Sequence, residues 1–330
     1  MNSETHLTSF LQNTDTKDWR AAVDELSPDV HEVDAAAVQI WLAFFPLDLA
    51  RLFDETDDAA TLARELLMQG DFRLQDQIDS SHTFLYGHRF WPEVKKAVVE
   101  YVESNSANPS QTLDRHIRTV TKKVAATTKQ EESLLLGITI IAFMTLAQVG
   151  LEKLKNAPGT IALDAAQKRK SPEQILKERA RNDNQGVFGF LRTADKQWTV
   201  VFDENDRTAK FKVIDSEELA SGAARDQSRD WRASDQRRIE GPIPVECRSA
   251  ACGTCWVGVL GGAEKLSEVS RREGTQIKQF GYINTDEAKP LIRLACMAQA
   301  SGAVSIVIPP WNGVFGKYLQ KRKETLEASA

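Results

Sequence analysis

Nowhere does the 330-residue sequence carry a glycine-rich loop of the GxGxxG or Walker type, so it holds no sign of a fused flavin or nucleotide module. It also lacks internal repeats and low-complexity runs. Its start, Met1–His6, has neither a basic region nor an apolar stretch. This sets the expectation of a cytoplasmic protein and not a secreted one. Histidine is scarce, limited to His6, His31, His82, His88 and His116. A di-iron carboxylate bundle needs Glu-x-x-His pairs on facing helices. Here the nearest match, Asp79-x-x-His82, has the shorter acid and no second copy. His82 and His88, separated by a short stretch containing Gly87, are the most suggestive pair for a haem or a metal. An aromatic-rich core or interface is the plainer reading of Ser81–Pro92. Lys168–Lys170 is a short basic run in a chain of net charge −5, so nucleic-acid binding is not expected.

Cysteine is scarcer still, and its placement is informative. The four residues are Cys247, Cys252 and Cys255, in the pattern C-x4-C-x2-C, and Cys296 after a gap of 40 residues. Four thiolates suffice to ligate two irons, with none to spare. A structural zinc site, the alternative, usually shows two CxxC pairs, and this chain has one. Disulfides would need an oxidising compartment. A c-type haem would need a histidine where Trp256 stands. The loop around the first three cysteines is built of small residues. Ser249, Ala250, Ala251, Gly253 and Thr254 let the backbone turn tightly and aim N–H groups at sulfur, and Gly253 accepts a positive φ without steric cost. Hydrogen bonds to cluster sulfurs help set the potential. Arg248 adds a positive charge beside them.

On this spacing, residues from about Gln197 to Asn312 resemble a plant-type or adrenodoxin-like ferredoxin domain. The resemblance implies a β-grasp fold and one 2Fe–2S cluster, with Cys247, Cys252, Cys255 and Cys296 as ligands. Arg248, Ser249, Ala250, Ala251, Gly253 and Thr254 then shape the surroundings of that cluster. It also implies a low potential, on the order of −400 mV. The layout can be followed along the chain. Trp198–Phe202 reads as a first strand and Asp203–Arg207 as a turn. Ala209–Ile214 alternates as a half-buried strand should. Asp215 with Glu218 marks a helix start for the segment into Ala224. Trp256–Leu260 is a strand closed by Gly261–Gly262, and Ala303–Ile308 is the last strand. Two stretches depart from the family pattern. Arg225–Arg238 is long and Arg-rich, and Glu264–Pro290 reads as a helix-and-loop insertion on the rim.

Hydrophobic residues at 42% and seven tryptophans are ample for packed cores in the remainder of the chain. From about Asp15 to Leu154 the sequence reads as helical: Val38–Leu52 interrupted near Pro46, then Thr61–Gln69, Pro92–Glu103, Leu113–Thr128 and Leu134–Lys155. Asn105–Ser110 reads as a polar linker. Ser171 and Pro172 sit at the N-cap and first position of a further short helix. Val187–Leu191 reads as a strand packed on the ferredoxin domain. Leu134–Leu151 has no charged residue and reaches the lower length limit for a membrane span. Gln148, two threonines, two glycines, the want of an aromatic belt and the lack of a second span favour a bundle core. Membrane association through this stretch, or burial against a partner, stands as the alternative.

The expected organisation is α+β: a helical domain over 1–155, a linker with a short helix over 156–194, a 2Fe–2S ferredoxin domain over 195–312 and a tail helix over 313–330. Charge is uneven. Residues 1–110 carry 8 Lys and Arg against 20 Asp and Glu, residues 111–194 carry 14 against 8, and residues 195–330 carry 20 against 19. A nearly neutral ferredoxin domain has little long-range field to steer it to free partners. The expectation is therefore an electron-transfer protein, not itself an enzyme. It would act as the dedicated redox subunit or partner of a larger oxidoreductase, docked by its helical domain, with donor and acceptor unnamed. Two other readings remain. One is an iron–sulfur redox sensor; the other is a carrier at the inner face of a membrane feeding a quinone-linked chain.

Overall fold

Proline, glycine and short polar caps decide where the helices of the N-terminal sequence begin and end. The computed structural model describes residues 6–104, 111–181, 196–281, 289–316 and 318. The chain divides into two units, Met1–Glu55 with Arg73–Pro172, and Thr56–Phe72 with Glu173–Ala330. The stretch Thr56–Phe72, helical-domain sequence by its position in the chain, thus belongs to the second unit.

The first unit opens with α1 (His6–Asn13), α2 (Thr16–Leu26), α3 (Glu32–Phe44) and α4 (Leu47–Asp54). Asp15 caps α2 by accepting the Asp18 N–H at 2.7 Å, and His31 Nδ1 caps α3 through the Val33 N–H at 3.1 Å. Pro46 occupies the cap position of α4, so the long apolar run breaks where a missing N–H forces it. Next come α5 (Ala59–Glu65) and β1 (Gln69–Gly70), in the second unit. The first unit resumes with α6 (Trp91–Ser104), α7 (Leu113–Thr128), α8 (Glu132–Val149), α9 (Leu151–Asn156) and α10 (Ala165–Lys168). The expected single helix Leu134–Lys155 is two. Gly150, at φ +79°, ends α8 before α9 begins. By length and apolarity, Glu32–Asp54 and α8 could each cross a membrane. The first is broken at Pro46. Within its unit α8 is the central helix, with Leu135, Ile138, Ile140, Ile141, Ala142 and Phe143 fully buried.

The second unit contains α5, β1 and, from Glu173 on, α11 (Pro172–Arg179), a helix that starts at the proline expected for it. Arg179 makes a buried ion pair with Glu204 at 2.8 Å. Then follow β2 (Gln197–Val201), β3 (Lys210–Ile214), β4 (Glu217–Glu218), α12 (Leu219–Ala224), α13 (Trp231–Ser234), β5 (Trp256–Gly261), α14 (Arg271–Phe280), β6 (Ile292–Leu294), β7 (Gln299–Ala300), β8 (Val304–Val307) and β9 (Trp311–Asn312). A five-stranded mixed sheet has the order β3–β2–β8–β5–β6. β2 and β8 run parallel, with Val200 opposite Val304, while the other neighbours are antiparallel. β3 alternates exposed and buried residues, which is why its pattern could be read directly. The chain is accordingly α+β, with a helical N-terminal region and a mixed sheet towards the C-terminus.

Two local expectations need correction. The helix into Ala224 does not start at Asp215. Glu217–Glu218 pairs with Gln299–Ala300 as β4, and Asp215 accepts the Trp198 indole N–H at 2.7 Å. The acid pair is spent on strand and turn, so only Leu219 onwards is helical. The insertion Glu264–Pro290 is not confined to a rim. Its helix α14, capped by Ser270, buries Glu273, Ile277 and Phe280. The Arg-rich stretch contains α13, whose Trp231 packs edge-on against Phe202 at 5.5 Å. Asn105–Ser110, Val187–Leu191 and the tail from 319 onwards lie outside the described residues.

Candidate metal centre

The cysteine loop is shaped by left-handed backbone. Arg248 (φ 49°), Ala250 (φ 58°) and Gly253 (φ 76°) take positive φ within a short stretch. Alternation of this kind turns successive N–H groups to one side, a concavity suited to negative charge. The Ala251 N–H donates to Cys247 Sγ at 3.2 Å. The Ser249 backbone and hydroxyl also donate to Cys247. Those of Thr254 donate to Cys252, and the Ala250 N–H donates to Cys296. Gly253 is required twice over, by its φ and because a Cβ there would lie 2.8 Å from the Phe280 ring.

Side-chain hydrogen bonds join Cys247 with Cys252 and Cys255 with Cys296, and charge also couples Cys252 to Cys255 and Cys247 to Cys296. Burial pushes the Cys247 thiol up, but the donors from Ser249, Cys252 and Ala251 outweigh it and bring it down to about 6. Burial raises Cys252. In the second pair a shared hydrogen bond first, then burial, drives Cys255 well up, while the same bond lowers Cys296. Cys247 and Cys252 are partly exposed; Cys255 and Cys296 are buried. Among the described residues no group of three or more Cys, His, Asp or Glu is placed to hold a metal ion. Two pairs of thiols, lined by N–H donors and small residues, suit two irons better than one ion with four ligands.

The other sequence-predicted residues divide. Ser249, Ala250, Ala251, Gly253 and Thr254 supply donors or clearance, as described. Arg248 turns to Glu240, with which it pairs, and to the Ser221 hydroxyl at 3.4 Å. Its charge is thus largely offset. Two features were missed. Glu273 Oε1 accepts from Arg293 Nε at 2.8 Å and from the Leu294 N–H at 2.9 Å. Arg293 also donates to the Ser267 carbonyl at 2.8 Å, and the Ala295 N–H donates to the Cys255 carbonyl at 2.8 Å. These bonds fix the backbone that presents Cys296. A lone arginine in Leu291–Leu294 was the available signal, because a buried charge needs a partner. The second missed feature is Trp256, whose indole N–H donates to the Trp311 carbonyl at 2.9 Å.

His82 and His88 meet in the first unit, Nδ1 to Nδ1 at 2.9 Å, both fully buried. The His82 ring lies tilted against that of Trp91 at 4.1 Å between centroids, and His88 Nε2 accepts the Ala162 N–H at 3.3 Å. Asp79 accepts from Trp91 Nε1 at 2.7 Å and from the Gly159 N–H at 2.7 Å. Its carboxylate is therefore occupied, and the cluster reads as aromatic core, with His82 Nε2 buried and without a hydrogen-bond partner among the described residues.

A mixed-sheet unit carrying a tight loop of three cysteines, with a fourth on a facing segment, defines a class: an iron–sulfur domain. Residues 203–301 match the family model of the 2Fe-2S iron-sulfur cluster binding domain, and the N-terminal region matches no family model. The domain binds a 2Fe–2S cluster, and domains of this kind typically carry electrons. No curated protein and no solved structure shows significant similarity to the chain.

Proposed function

We propose that the protein is a one-electron carrier acting as the dedicated redox subunit or partner of a larger oxidoreductase, with Cys247, Cys252, Cys255 and Cys296 as the cluster ligands. The observation that carries this is the pair of thiol pairs inside a ring of backbone N–H donors. When bound, the cluster supplies a site that gains or loses one electron. The residues around it do the rest. Cys255 and Cys296 hold the buried side, next to the buried Thr254, and the Ala295–Cys255 hydrogen bond ties their backbones together. Donors from Ser249, Ala250, Ala251 and Thr254 face the sulfurs and favour the more negative state, which raises the potential. The partly exposed edge from Cys247 to Cys252 is where a partner's redox centre approaches.

A β-grasp fold for the second unit is supported by the β2–β3 hairpin, by α12 set against β3 at Gly222 and Val213, and by the return of β8 parallel to β2. The helical unit is the docking piece, a reading supported by the near balance of charge over residues 195–330, 20 basic against 19 acidic, which leaves little steering field. A cytoplasmic location is the reading that four thiols kept reduced for a metal support.

The deciding experiment is low-temperature EPR with iron and zinc assays on anaerobically purified protein, before and after dithionite. A rhombic signal on reduction, with two irons for each chain, is expected. Zinc without a signal would make the cysteine loop a structural staple and remove the electron-transfer reading.

A further inference from the structure

The second unit takes a piece of chain from the middle of the helical sequence. In Thr56–Phe72, β1 pairs with β9, Gln69 opposite Asn312 and Gly70 opposite Trp311. The Asp71 N–H donates to the Pro310 carbonyl at 2.8 Å, and the Val314 N–H to the Leu66 carbonyl at 2.9 Å. The fit leaves no slack. A Cβ at Gly70 would collide with the Pro310 carbonyl oxygen, and Gly70 already sits at φ +81°. A Cβ at Gly313 would strike Met68 Sδ.

This strap holds Trp311, and Trp311 holds the cysteine loop. Trp311 is fully buried. Its ring lies 5.1 Å from that of Trp256, and its carbonyl accepts the Trp256 indole N–H at 2.9 Å. Trp256 is the residue after Cys255. A continuous run of contacts therefore joins Gly70, Trp311, Trp256 and Cys255. Neither the strap nor Trp311 lies within the matched residues 203–301.

We infer that the strap and Trp311 position Cys255, so that the cluster-binding domain of this protein is completed by a segment from outside the family's own boundaries. Trp311 and Gly70 are positioning residues: they set the direction of a ligand without touching it. A tryptophan pair bridged by a buried hydrogen bond fixes both ring orientation and backbone path. Displacing it rotates the Cys255 backbone, which the Ala295 hydrogen bond couples to the neighbour of Cys296.

The inference rests on the ligand reading above, and the test separates the two. Full-length wild type, Trp256→Phe, Gly70→Ala and the control Phe202→Leu are purified anaerobically and reconstituted with iron and sulfide. Phe202 packs on Phe211 and Trp231, away from the strap contacts. Iron content, bleaching by an iron chelator and the EPR line shape of the reduced sample are measured. Wild type without iron defeats the ligand reading itself. Given a loaded wild type, Trp256→Phe and Gly70→Ala are expected to bleach several-fold faster and to show a changed line shape. Phe202→Leu should lower thermal stability with the line shape intact. If Gly70→Ala does not fold, Trp256→Phe decides, because it keeps an aromatic ring against Trp311 while removing the indole N–H and part of the ring volume. Wild-type bleaching and line shape in Trp256→Phe would overturn the inference.

Discussion

Glu273 and Arg293 form a two-pronged ion pair in which both side chains are essentially withdrawn from water, Nε to Oε1 at 2.8 Å and the second nitrogen to Oε2 at 3.1 Å. Removing one partner leaves the other as an unpaired buried charge, at a cost of about 3–5 kcal/mol. Arg293→Met is expected to destabilise the second unit by that amount in urea titration. Replacing both, Glu273→Leu with Arg293→Met, should recover much of the loss, since the desolvation of both charges disappears as well. A single variant as stable as wild type would show that the pair contributes nothing.

Each cysteine should be individually indispensable to a stable cluster. Cys255→Ser and Cys296→Ser, on the buried side, are expected to abolish visible absorbance and the reduced EPR signal. Cys252→Ser, on the partly exposed edge, should leave at most a short-lived cluster. Retention of two irons in Cys296→Ser would remove that residue from the ligand set.

Acid should weaken the helical unit before it reaches the carboxylates alone. Burial lowers His88 from 6.5 to about 4, and nearby Asp79 only partly offsets this. Burial likewise lowers His82. The unfolded chain therefore binds more protons than the folded one as pH falls through this window. Stability is fully present above the unfolded value near 6.5 and is lost progressively towards 4, by about 1.4 kcal/mol per pH unit for each such group. For His88 this amounts to about 3 kcal/mol. Urea titrations followed by helical circular dichroism at pH 7 and pH 5 should show the loss, and His88→Gln should flatten it. An unchanged slope in that variant would assign the effect elsewhere.

Leu67 stands where glycine is the physical optimum. It follows the end of α5 at φ 52°, its N–H donates to Arg64 and that of Met68 to Ala63, and it is 63% exposed. A left-handed leucine costs about 1–2 kcal/mol in backbone strain, while glycine costs more unfolded-chain entropy. Leu67→Gly should gain up to about 1 kcal/mol, read as a rise in melting temperature. A fall would mean that Leu67 makes stabilising contacts.

Much of the helical boundary pattern was written locally. Pro46 broke a helix, Pro172 began one, and the uncharged run from Leu134 became the buried α8, because such signals act within one turn of backbone. The cysteine loop was legible for the same reason: ligand spacing, small residues and a glycine for positive φ are short-range requirements. Asp215 and Glu218 misled because a capping pattern competes with strand pairing, and the partner strand, Gln299–Ala300, lies far along the chain. The sequence by itself determined the composition of the cysteine loop, the strand alternation of β3 and most of the helices. Only the tertiary structure decided that Glu273 answers Arg293 across 20 residues, that the thiols sort as two pairs, and that Gly70 closes on Trp311. Those choices depend on which distant segments bury each other's surfaces, and no local period records the identity of a distant partner.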